Sequence, residues 1–571
     1  MKYLFLFSIH KALIVLIAFI YSQQCRAYDF YEGGIYYNKT SDMTVEVTSG
    51  DEVYTGDVVI PSVILDEYFV TGIDGESFND SKIKSITIPP KIKTIQAKAF
   101  SSCFYLKKVI VKDLAAWCSI SFGDVHANPL EYSHHLYSDV NTEITNLSIP
   151  YGIKSINDYA FVSCRGLINV TIPSSVESIG AGAFAGCNNL PSVTIPPSVS
   201  VIREGSFSGC KGIEYLNIPE GVEKIEDSAF SGCSKLKEVT IPSSLKMMGE
   251  AFSGCNKLMK IHISDLSAWC KIIFSNRYAN PLQFSKHLYK YGQEIKHLII
   301  PDEITQIREF TFYGCEGIES VTLHGNLTTI GSTSFQYSGI SSIFIPRSVR
   351  EIGESPFLGC SNLTDIVVES GNDIYDSREN CNGIIRTSSN TLIQGCRNTI
   401  IPNSVTRLDR YSFCLCQGLV SMDIPDGVRW IDTGAFSGCP DLEKIIIPSS
   451  VSSIYTSAFY NCPKLVNVTS YMSKPPHDNS NFWCWFSPDT YALATLYVPR
   501  GLKAVYESTT GWNKFVNIEE FDIPSGVAEV IDDNSAVEEY YDINGLRITA
   551  PNHGLNIVRM SDGSVRKVLV R

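Results

Sequence analysis

The chain has 571 residues, of which 44% are hydrophobic and 19% charged, and its formal net charge is −13. The apolar content excludes wholesale disorder, and the length favours several domains or a repeat array over a single core. Lysine and arginine are scattered, which argues against nucleic acid as a partner, because its binding depends on basic patches that neutralise phosphates.

The N-terminal segment has the pattern of a secretory signal peptide. Lys2 precedes an apolar run that is densest over residues 12–20, and Ala27 provides a small residue at the cut. We therefore assign residues 1–27 to a signal peptide and expect the mature chain to be exported, either secreted or held at the cell surface. A retained anchor and lipidation at Cys25 are the alternatives; no other segment is long and apolar enough to span a bilayer.

Residues 28–75 are predicted to form an N-terminal β cap. From Tyr36 onward the segment alternates apolar and polar residues, as antiparallel strands do. A stack of repeats has an open face at its first unit, so an atypical terminal segment is expected there.

Residues 76–468 contain a repeat of 22 to 23 residues centred on a phenylalanine. In each repeat a triplet such as 193–195 alternates apolar, polar, apolar, which predicts a short strand with one buried face. Pro196 then ends the strand, because it lacks an N–H, and Gly186 permits a tight bend. One coil cannot bury its apolar side alone, so we predict a repeat solenoid of about 13 coils with parallel β ladders. The repeats align on Phe78, Phe100, Phe161, Phe184, Phe207, Phe230, Phe252, Phe312, Phe335, Phe357, Phe413, Phe436 and Phe459.

Eleven of the 18 cysteines stand three residues after such a phenylalanine. Disulfides are common in exported chains, but ladder side chains point in parallel, and two coils carry Ser81 and Ser338 at this place. A side chain of similar size thus replaces the thiol, and we predict buried free thiols that fill space. The exception is the pair Cys381 and Cys396, which flank a predicted hairpin and for which we predict a possible disulfide.

Three insertions interrupt the repeat, at residues 112–147, 264–299 and 369–399. The first two are copies of each other, with Asp-Leu predicted to open a helix with Asp as N-cap. Both copies contain a histidine, His135 or His287. We expect a packing or surface role for both, because no carboxylate or second histidine recurs at ligand spacing in both copies.

Beyond residue 468 the sequence no longer matches the repeat. Residues 469–522 are predicted to be a C-terminal cap, and residues 523–571 a linker with a small β module. Asn544-Gly545 and Asp562-Gly563 lie between apolar runs in that module, which is a strong hairpin signal.

The unit IP-x-x-V-x-x-I-x-x-x-A-F-x-G-C-x-x-L-x-x-V-x-IP, from Ile172 to Pro196, resembles the Treponema-type leucine-rich repeat of BspA-like bacterial surface proteins. The insertions resemble segments of Bacteroidetes members, and "YYDINGLRI" and "GLNIVRM" resemble C-terminal sorting-like domains of secreted Bacteroidetes proteins. The resemblance implies a right-handed leucine-rich-repeat stack displayed at the cell surface. Members of the family are associated with adhesion to host matrix proteins or other bacteria.

The sequence contains no Gly-rich phosphate loop and no catalytic or metal-binding motif, so we expect no cofactor and no enzymatic activity. We expect a monomeric adhesin that binds proteins or glycans through the polar strand positions. The alternatives are a passive structural surface protein and a hydrolase with its site in an insertion. The candidate binding residues are Asn169, Thr171, Ser192, Thr194, Tyr215, Asn217, Glu238, Thr240, Lys260, His262 and Phe344.

Overall fold

The computed structural model describes residues 28–478, 484–522, 537–541, 547–548, 554–560 and 565–570. The predicted signal peptide lies outside the described residues. The chain divides into two compact units, Met1–Ile295 and Lys296–Arg571. Each unit is a parallel β-solenoid with two ladders, which we call the long ladder, of mostly three to seven residues a strand, and the short ladder, of mostly two.

The first unit begins with an antiparallel sheet. Phe30–Glu32, Ile35–Ser41 and Thr44–Thr48 pair in that order, and Thr44–Thr48 then pairs in parallel with Tyr68–Ile73. Val63–Ile64 lies antiparallel to Tyr68–Ile73. The solenoid ladders therefore start within residues 28–75.

The long ladder of the first unit forms three sheets whose neighbouring strands are parallel and in register. Their buried residues point inward at every second position, as expected for a strand with one face in the core. The strands are Thr55–Val59, Lys82–Ile88, Lys108–Val111 and Leu136–Tyr137; Asn146–Ser148 and Asn169–Thr171; and Tyr215–Asn217, Glu238–Ile241, Lys260–Ile263 and Leu288–Lys290, to which Gln293–Glu294 pairs antiparallel.

The short ladder of the first unit is also parallel. Each of its strands contributes one buried side chain, such as Ile225, and one more accessible residue. The strands are Thr94–Ile95 and Ser121–Phe122, which follow Tyr68–Ile73, and then Ser155–Ile156, Ser178–Ile179, Val201–Ile202, Lys224–Ile225, Met247–Met248 and Ile273–Phe274.

The second unit repeats this arrangement. Its long ladder consists of His297–Ile299 and Ser320–Thr322; Ser342–Ile345 and Asp365–Val368; and Ser421–Asp423, Lys444–Ile447, Asn467–Ser470, Thr495–Pro499 and Asn517–Phe521. Its short ladder consists of Gln306–Ile307, Thr329–Ile330 and Glu351–Ile352; and Thr391–Gly395, Arg407–Leu408, Trp430–Ile431 and Ser453–Ile454.

Two antiparallel elements accompany the second unit. Tyr375–Asp376 and Gly383–Arg386 pair antiparallel and lead into Thr391–Gly395, so this segment joins the short ladder. In the tail, Val537–Tyr541, Arg547–Ile548, Gly554–Met560 and Val565–Val570 form an antiparallel sheet.

Short helices replace loops at a few places. Asp113 and Asp265 cap the helices that follow them by accepting hydrogen bonds from backbone amides, as predicted. The α-helices are Leu114–Cys118, Leu130–Ser133, Leu266–Lys271, Leu282–Ser285, Pro488–Leu493 and Lys503–Ser508, and the 3-10 helices are Val125–Ala127, Arg277–Ala279, Arg378–Asn380 and Trp512–Lys514.

The core is built from stacked phenylalanines. Consecutive rings within a run lie 4.9 to 5.8 Å apart between centroids, with planes within 19° of each other. Phe486, from the decayed part of the sequence, continues the last run beyond Phe459. The predicted solenoid is thus confirmed, but the described residues form about 21 turns rather than 13.

The additional turns come partly from segments predicted as insertions. Ser121–Phe122 pairs with Thr94–Ile95, and Leu136–Tyr137 pairs with Lys108–Val111, so the first copy of the duplicated segment adds a strand to both ladders. A capped helix takes the place of an extended corner in this coil, which is why its sequence does not match the repeat.

One predicted strand does not form. Residues 192–195 lie in the long-ladder position but have no strand pairing, although Val193 and Ile195 are buried there as expected. Pro191, Pro196 and Pro197 surround the segment. Because proline has no N–H to donate to a ladder, the long ladder is interrupted at this coil.

Candidate functional site

Most of the candidate binding residues occupy two outward rows of the long ladder in the first unit. Asn146 and Asn169 are in register, as are Tyr215, Glu238 and Lys260 farther along. The second row contains Thr171, then Asn217, Thr240 and His262 in register. Ser192 and Thr194 are exposed as well, although their segment is not a strand. The sequence pattern therefore identified which side chains leave the core.

Five side chains lie in register on neighbouring strands at the end of this face, and we call them the Glu238 cluster: Tyr215, Glu238, Lys260, His262 and Tyr289. Glu238 accepts hydrogen bonds from Lys260 Nζ at 2.9 Å and pairs with His262 Nε2 at 3.1 Å. The Lys260 bond lowers the pKa of Glu238 and raises the pKa of Lys260. Both side chains are thus held charged and in place.

The two tyrosines of the Glu238 cluster lie on either side of its charged side chains in the strand register. The ring of Tyr289 lies 5.3 Å from the His262 ring and 5.7 Å from Lys260 Nζ. Tyr215 is 57% exposed, and Lys237 Nζ lies 5.7 Å from its ring. Tyr289 was missed as a binding candidate because it belongs to the duplicated segment; its alignment with His262 follows only from the strand register.

Phe344, the remaining candidate, lies in the second unit and belongs to an exposed apolar row. This Phe344 row consists of Ile299, Thr322, Phe344 and Val367, with Ile299 paired to Thr322 and Phe344 paired to Val367. Phe344 is 50% exposed and Ile299 67%. Large apolar side chains grouped on a solvent-exposed strand face are typical of contact surfaces.

His135 and His287 each pair with a glutamate that the sequence pattern did not reveal. His135 Nδ1 lies 2.6 Å from Glu143 Oε1, and His287 Nδ1 lies 2.6 Å from Glu294 Oε1. A carboxylate therefore does recur in both copies, but at separations of eight and seven residues, so a fixed spacing does not reveal it. Each pair joins a strand to the returning segment of a hairpin.

The described residues contain no group of three or more His, Cys, Asp or Glu side chains arranged to hold a metal ion. Asp376, in the strand Tyr375–Asp376, is instead engaged by Arg378, whose Nη2 lies 2.6 Å from its carboxylate. Asp373 pairs with Arg350 at 2.8 Å. These carboxylates therefore serve structural ion pairs.

The cysteines of the repeat are free thiols, as predicted for them. Cys381 and Cys396, the pair named as a disulfide candidate, are free thiols in this structure too. Cys396 Sγ contacts the carbonyl oxygen of Thr364 at 3.1 Å, whereas Cys381 Sγ contacts that of Gly383 at 3.7 Å. The two thiols thus have separate backbone partners.

No helix in the described part of the chain is both long and apolar enough to cross a membrane. Comparison with curated protein sequences finds no match. Among solved structures, the chain is similar to a leucine-rich repeat protein from Bacteroides ovatus, with 25% identity, 77% of this chain and 94% of that chain covered, and a TM-score of 0.34. It is also similar to a leucine-rich cell surface protein from Faecalibacterium prausnitzii, with 19% identity, coverage of 87% and 95%, and a TM-score of 0.36.

The family comparison is direct. A model described as "BspA type Leucine rich repeat region" matches in 6 copies, over residues 50–123, 135–259, 282–394 and 384–509. These ranges span both units and include the coils built on the phenylalanine and cysteine ladders. The chain therefore belongs to the BspA-type leucine-rich repeat family.

Proposed function

We propose that this protein is a non-enzymatic adhesin, exported to the cell surface, that binds proteins of the host matrix or of other bacteria. The binding face is the outward long ladder of the first unit. The observation that carries the proposal is the Glu238 cluster, where an exposed tyrosine borders a fixed group of charged and aromatic side chains.

The side chains of the Glu238 cluster would lose little conformational entropy when a partner binds. Hydrogen bonds between Glu238, Lys260 and His262 already hold these side chains, so a partner need not immobilise them. Tyrosine contributes large contact area with few rotatable bonds and is enriched among residues that dominate binding energy. The neighbouring Asn, Ser and Thr side chains supply hydrogen-bond donors and acceptors around this centre.

The Phe344 row supports the same function for the second unit. Its apolar side chains are exposed to solvent. A partner that covers them removes apolar surface from water, which makes the binding free energy more favourable. We therefore propose that the second unit also contributes a contact surface.

The test is binding of the purified chain, residues 28–571, to an array of host matrix proteins and bacterial surface proteins. A Tyr215→Ala/Lys260→Ala double variant is expected to lose about tenfold or more in affinity. Tyr151→Ala, which removes a tyrosine that is 84% exposed at a corner of the same unit, is the matched control and is expected to bind like wild type. If wild type binds nothing on the array and cells lacking the protein adhere normally, a passive structural role replaces the proposal.

Export and the lack of activity are tested separately. Protease added to whole cells should degrade the protein, and full protection would overturn the surface location.

In a broad hydrolase screen we expect no turnover; reproducible turnover that disappears in His135→Ala or His287→Ala would make the protein an enzyme.

A further inference from the structure

The long ladder of the second unit ends in a cavity of about 310 Å³ that the proposed function does not use. We call it the Tyr497 pocket. It is a shallow depression, largely open to solvent, on the outward face of the last strands. Its lining residues are Lys444, Asn467, Thr469, Tyr471, Tyr497 and Phe521.

Strand register brings these six residues together. Lys444 is paired with Asn467 and Thr469 with Tyr497, on neighbouring parallel strands. Phe521 is paired with Pro499 one strand farther on. The inward residues of these strands, including Ile445, Val468 and Leu496, are fully buried, so the solenoid core supports the sheet from the side opposite the pocket.

Aromatic rings form the walls of the pocket. Tyr471 and Phe521 meet edge to face, with centroids 5.2 Å apart and planes 80° from parallel. The backbone N–H of Tyr471 donates to the carbonyl of Ile447 at 2.9 Å, which fixes the start of this segment. The third ring, Tyr497, comes from the adjacent strand. A ligand in the pocket would therefore meet ring surfaces from more than one direction.

The polar groups of the pocket are available to a ligand. Among the described residues, the side chains of Lys444, Asn467, Thr469 and Tyr497 form no hydrogen bond to another residue, in contrast to the paired lysines and glutamates of the first unit. They provide an ammonium donor, an amide with donor and acceptor, and hydroxyls that do both. Burial, reinforced by the carboxylates of Asp423 and Asp426, raises the pKa of Tyr471, so its hydroxyl remains protonated at neutral pH.

Aromatic rings together with unbonded donors and acceptors suit a sugar ring. A pyranose ring presents apolar C–H faces, which pack on aromatic rings, and an edge of hydroxyl groups that require both donors and acceptors. Pockets for small ligands begin at about 300 Å³ and combine apolar walls with a few polar groups. Asp423 is an outward residue of the strand that pairs with the Lys444 strand, so a carboxylate stands beside the ammonium group, which favours a neutral ring over an acidic one.

We propose that the Tyr497 pocket binds a neutral hexopyranose unit of a glycan. The site is independent of the protein-binding face of the first unit. It would give the protein a second, carbohydrate-directed mode of attachment.

The test is saturation-transfer difference NMR on the purified chain, residues 28–571, with the methyl pyranosides of glucose, galactose, mannose and N-acetylglucosamine at millimolar concentration. At least one sugar should receive saturation on its ring C–H protons. Tyr497→Ala should weaken its binding about tenfold, the loss expected for removing one aromatic contact. Tyr497→Phe should retain the contact, and Asn467→Ala, a polar change at a partly exposed position, should also weaken binding.

Tyr455→Ala is the matched control, because Tyr455 is a 43% exposed tyrosine of the same unit outside the pocket. It should bind sugar like wild type, as should the Tyr215→Ala/Lys260→Ala variant, which separates this proposal from the protein-binding one. The proposal is overturned if no sugar receives saturation, if folded Tyr497→Ala and Asn467→Ala both bind like wild type, or if the pocket holds a protein partner that no sugar displaces.

Discussion

The thiol of Cys210 donates a hydrogen bond to the carbonyl oxygen of Phe184, 3.2 Å away in the preceding coil. The same contact recurs along the ladder at 3.1 to 3.5 Å, for example between Cys187 and Phe161. Cysteine is therefore more than a small space-filling residue here, since its weak S–H donor links each coil to its neighbour. Serine, present as Ser81 and Ser338, keeps a donor at this position.

This contact predicts an order of stability among variants. Cys210→Ala removes the donor and leaves a small cavity, so it should lower the free energy of unfolding by about 1 to 2 kcal/mol. Cys210→Ser retains a donor and should cost less. Urea unfolding of the purified chain measures both; an alanine variant as stable as the serine variant would show that the hydrogen bond contributes nothing.

The buried thiols also predict a loss of stability in alkali. Burial raises the pKa of Cys210 to about 12, whereas an unfolded cysteine titrates near pH 8.5. Below the unfolded pKa both states hold the proton, and the full stabilisation is present. Above it only the unfolded chain releases the proton, so rising pH favours unfolding until the folded thiol titrates too.

The measurement is the difference in unfolding free energy between wild type and Cys210→Ser as pH rises from 8 to 11. Other titrating groups are common to both chains and cancel. Wild type should lose about 1.4 kcal/mol per pH unit relative to the variant above the unfolded pKa. A difference that stays constant over this range would contradict the assignment of Cys210 as a protonated, buried thiol.

Ser206 predicts a stabilising substitution. Its hydroxyl is fully buried and has no hydrogen-bond partner among the described residues, while the equivalent positions in the adjacent coils are Ala183 and Ala229. A buried hydroxyl without a partner keeps its desolvation cost. Ser206→Ala should therefore raise the free energy of unfolding by about 1 kcal/mol.

Ser208→Ala is the control for this prediction. Ser208 lies in the same coil, but its hydroxyl donates to the carbonyl of Ser231 at 3.3 Å. This substitution should be neutral or destabilising in the same urea experiment. If both alanine variants lose stability alike, the Ser206 hydroxyl has a partner in solution.

Much of the fold follows from local pattern. The spacing of Phe184 and Cys187 marks the core positions, and alternation around Val170 and Leu216 marks the buried face of the long ladder, because each coil repeats the same short-range geometry. One failure also has a local cause. Residues 192–195 alternate correctly, but Pro191 before them lacks the N–H that its equivalent one coil earlier, Ile168, donates to Thr145 O.

The sites were less predictable because they depend on register between distant segments. Glu238, Lys260 and His262 were identified one by one, yet their mutual contacts and the approach of Tyr289 follow from strand pairing. The Tyr497 pocket combines residues of the last repeats with Tyr497 and Phe521. The strands that carry these two residues lie beyond residue 468, where the sequence no longer matches the repeat. The His–Glu pairs were not predicted because the number of residues between histidine and glutamate differs between the two copies.

In the first copy of the duplicated segment, the side chain of Asn128 links its own coil to the next coil. In many coils a phenylalanine N–H donates to the carbonyl of the residue that precedes the next phenylalanine of the stack, as Phe161 does to Ala183 at 2.7 Å. In the Ala-Asn-Pro-Leu turn the side chain of Asn128 performs this task, donating to Tyr159 O at 2.8 Å and Ala160 O at 3.1 Å. Its oxygen accepts from the N–H of Leu130 at 2.9 Å.

Asn128 should therefore be essential to the stability of the first unit although it is remote from the binding face. Asn128→Ala leaves the buried N–H of Leu130 without its acceptor and removes the donor to two carbonyls, so it should lower the free energy of unfolding by about 2 to 3 kcal/mol. Asn146→Ala, at an exposed strand position, should change it by less than about 0.5 kcal/mol. Urea unfolding compares the two variants, and hydrogen exchange should show increased opening of residues 159–161 in Asn128→Ala alone. Equal stability of the two variants would mean that backbone groups or water replace the asparagine, and that the duplicated segment is held to the stack by Trp117, whose Nε1 donates to Ala160 O at 2.8 Å.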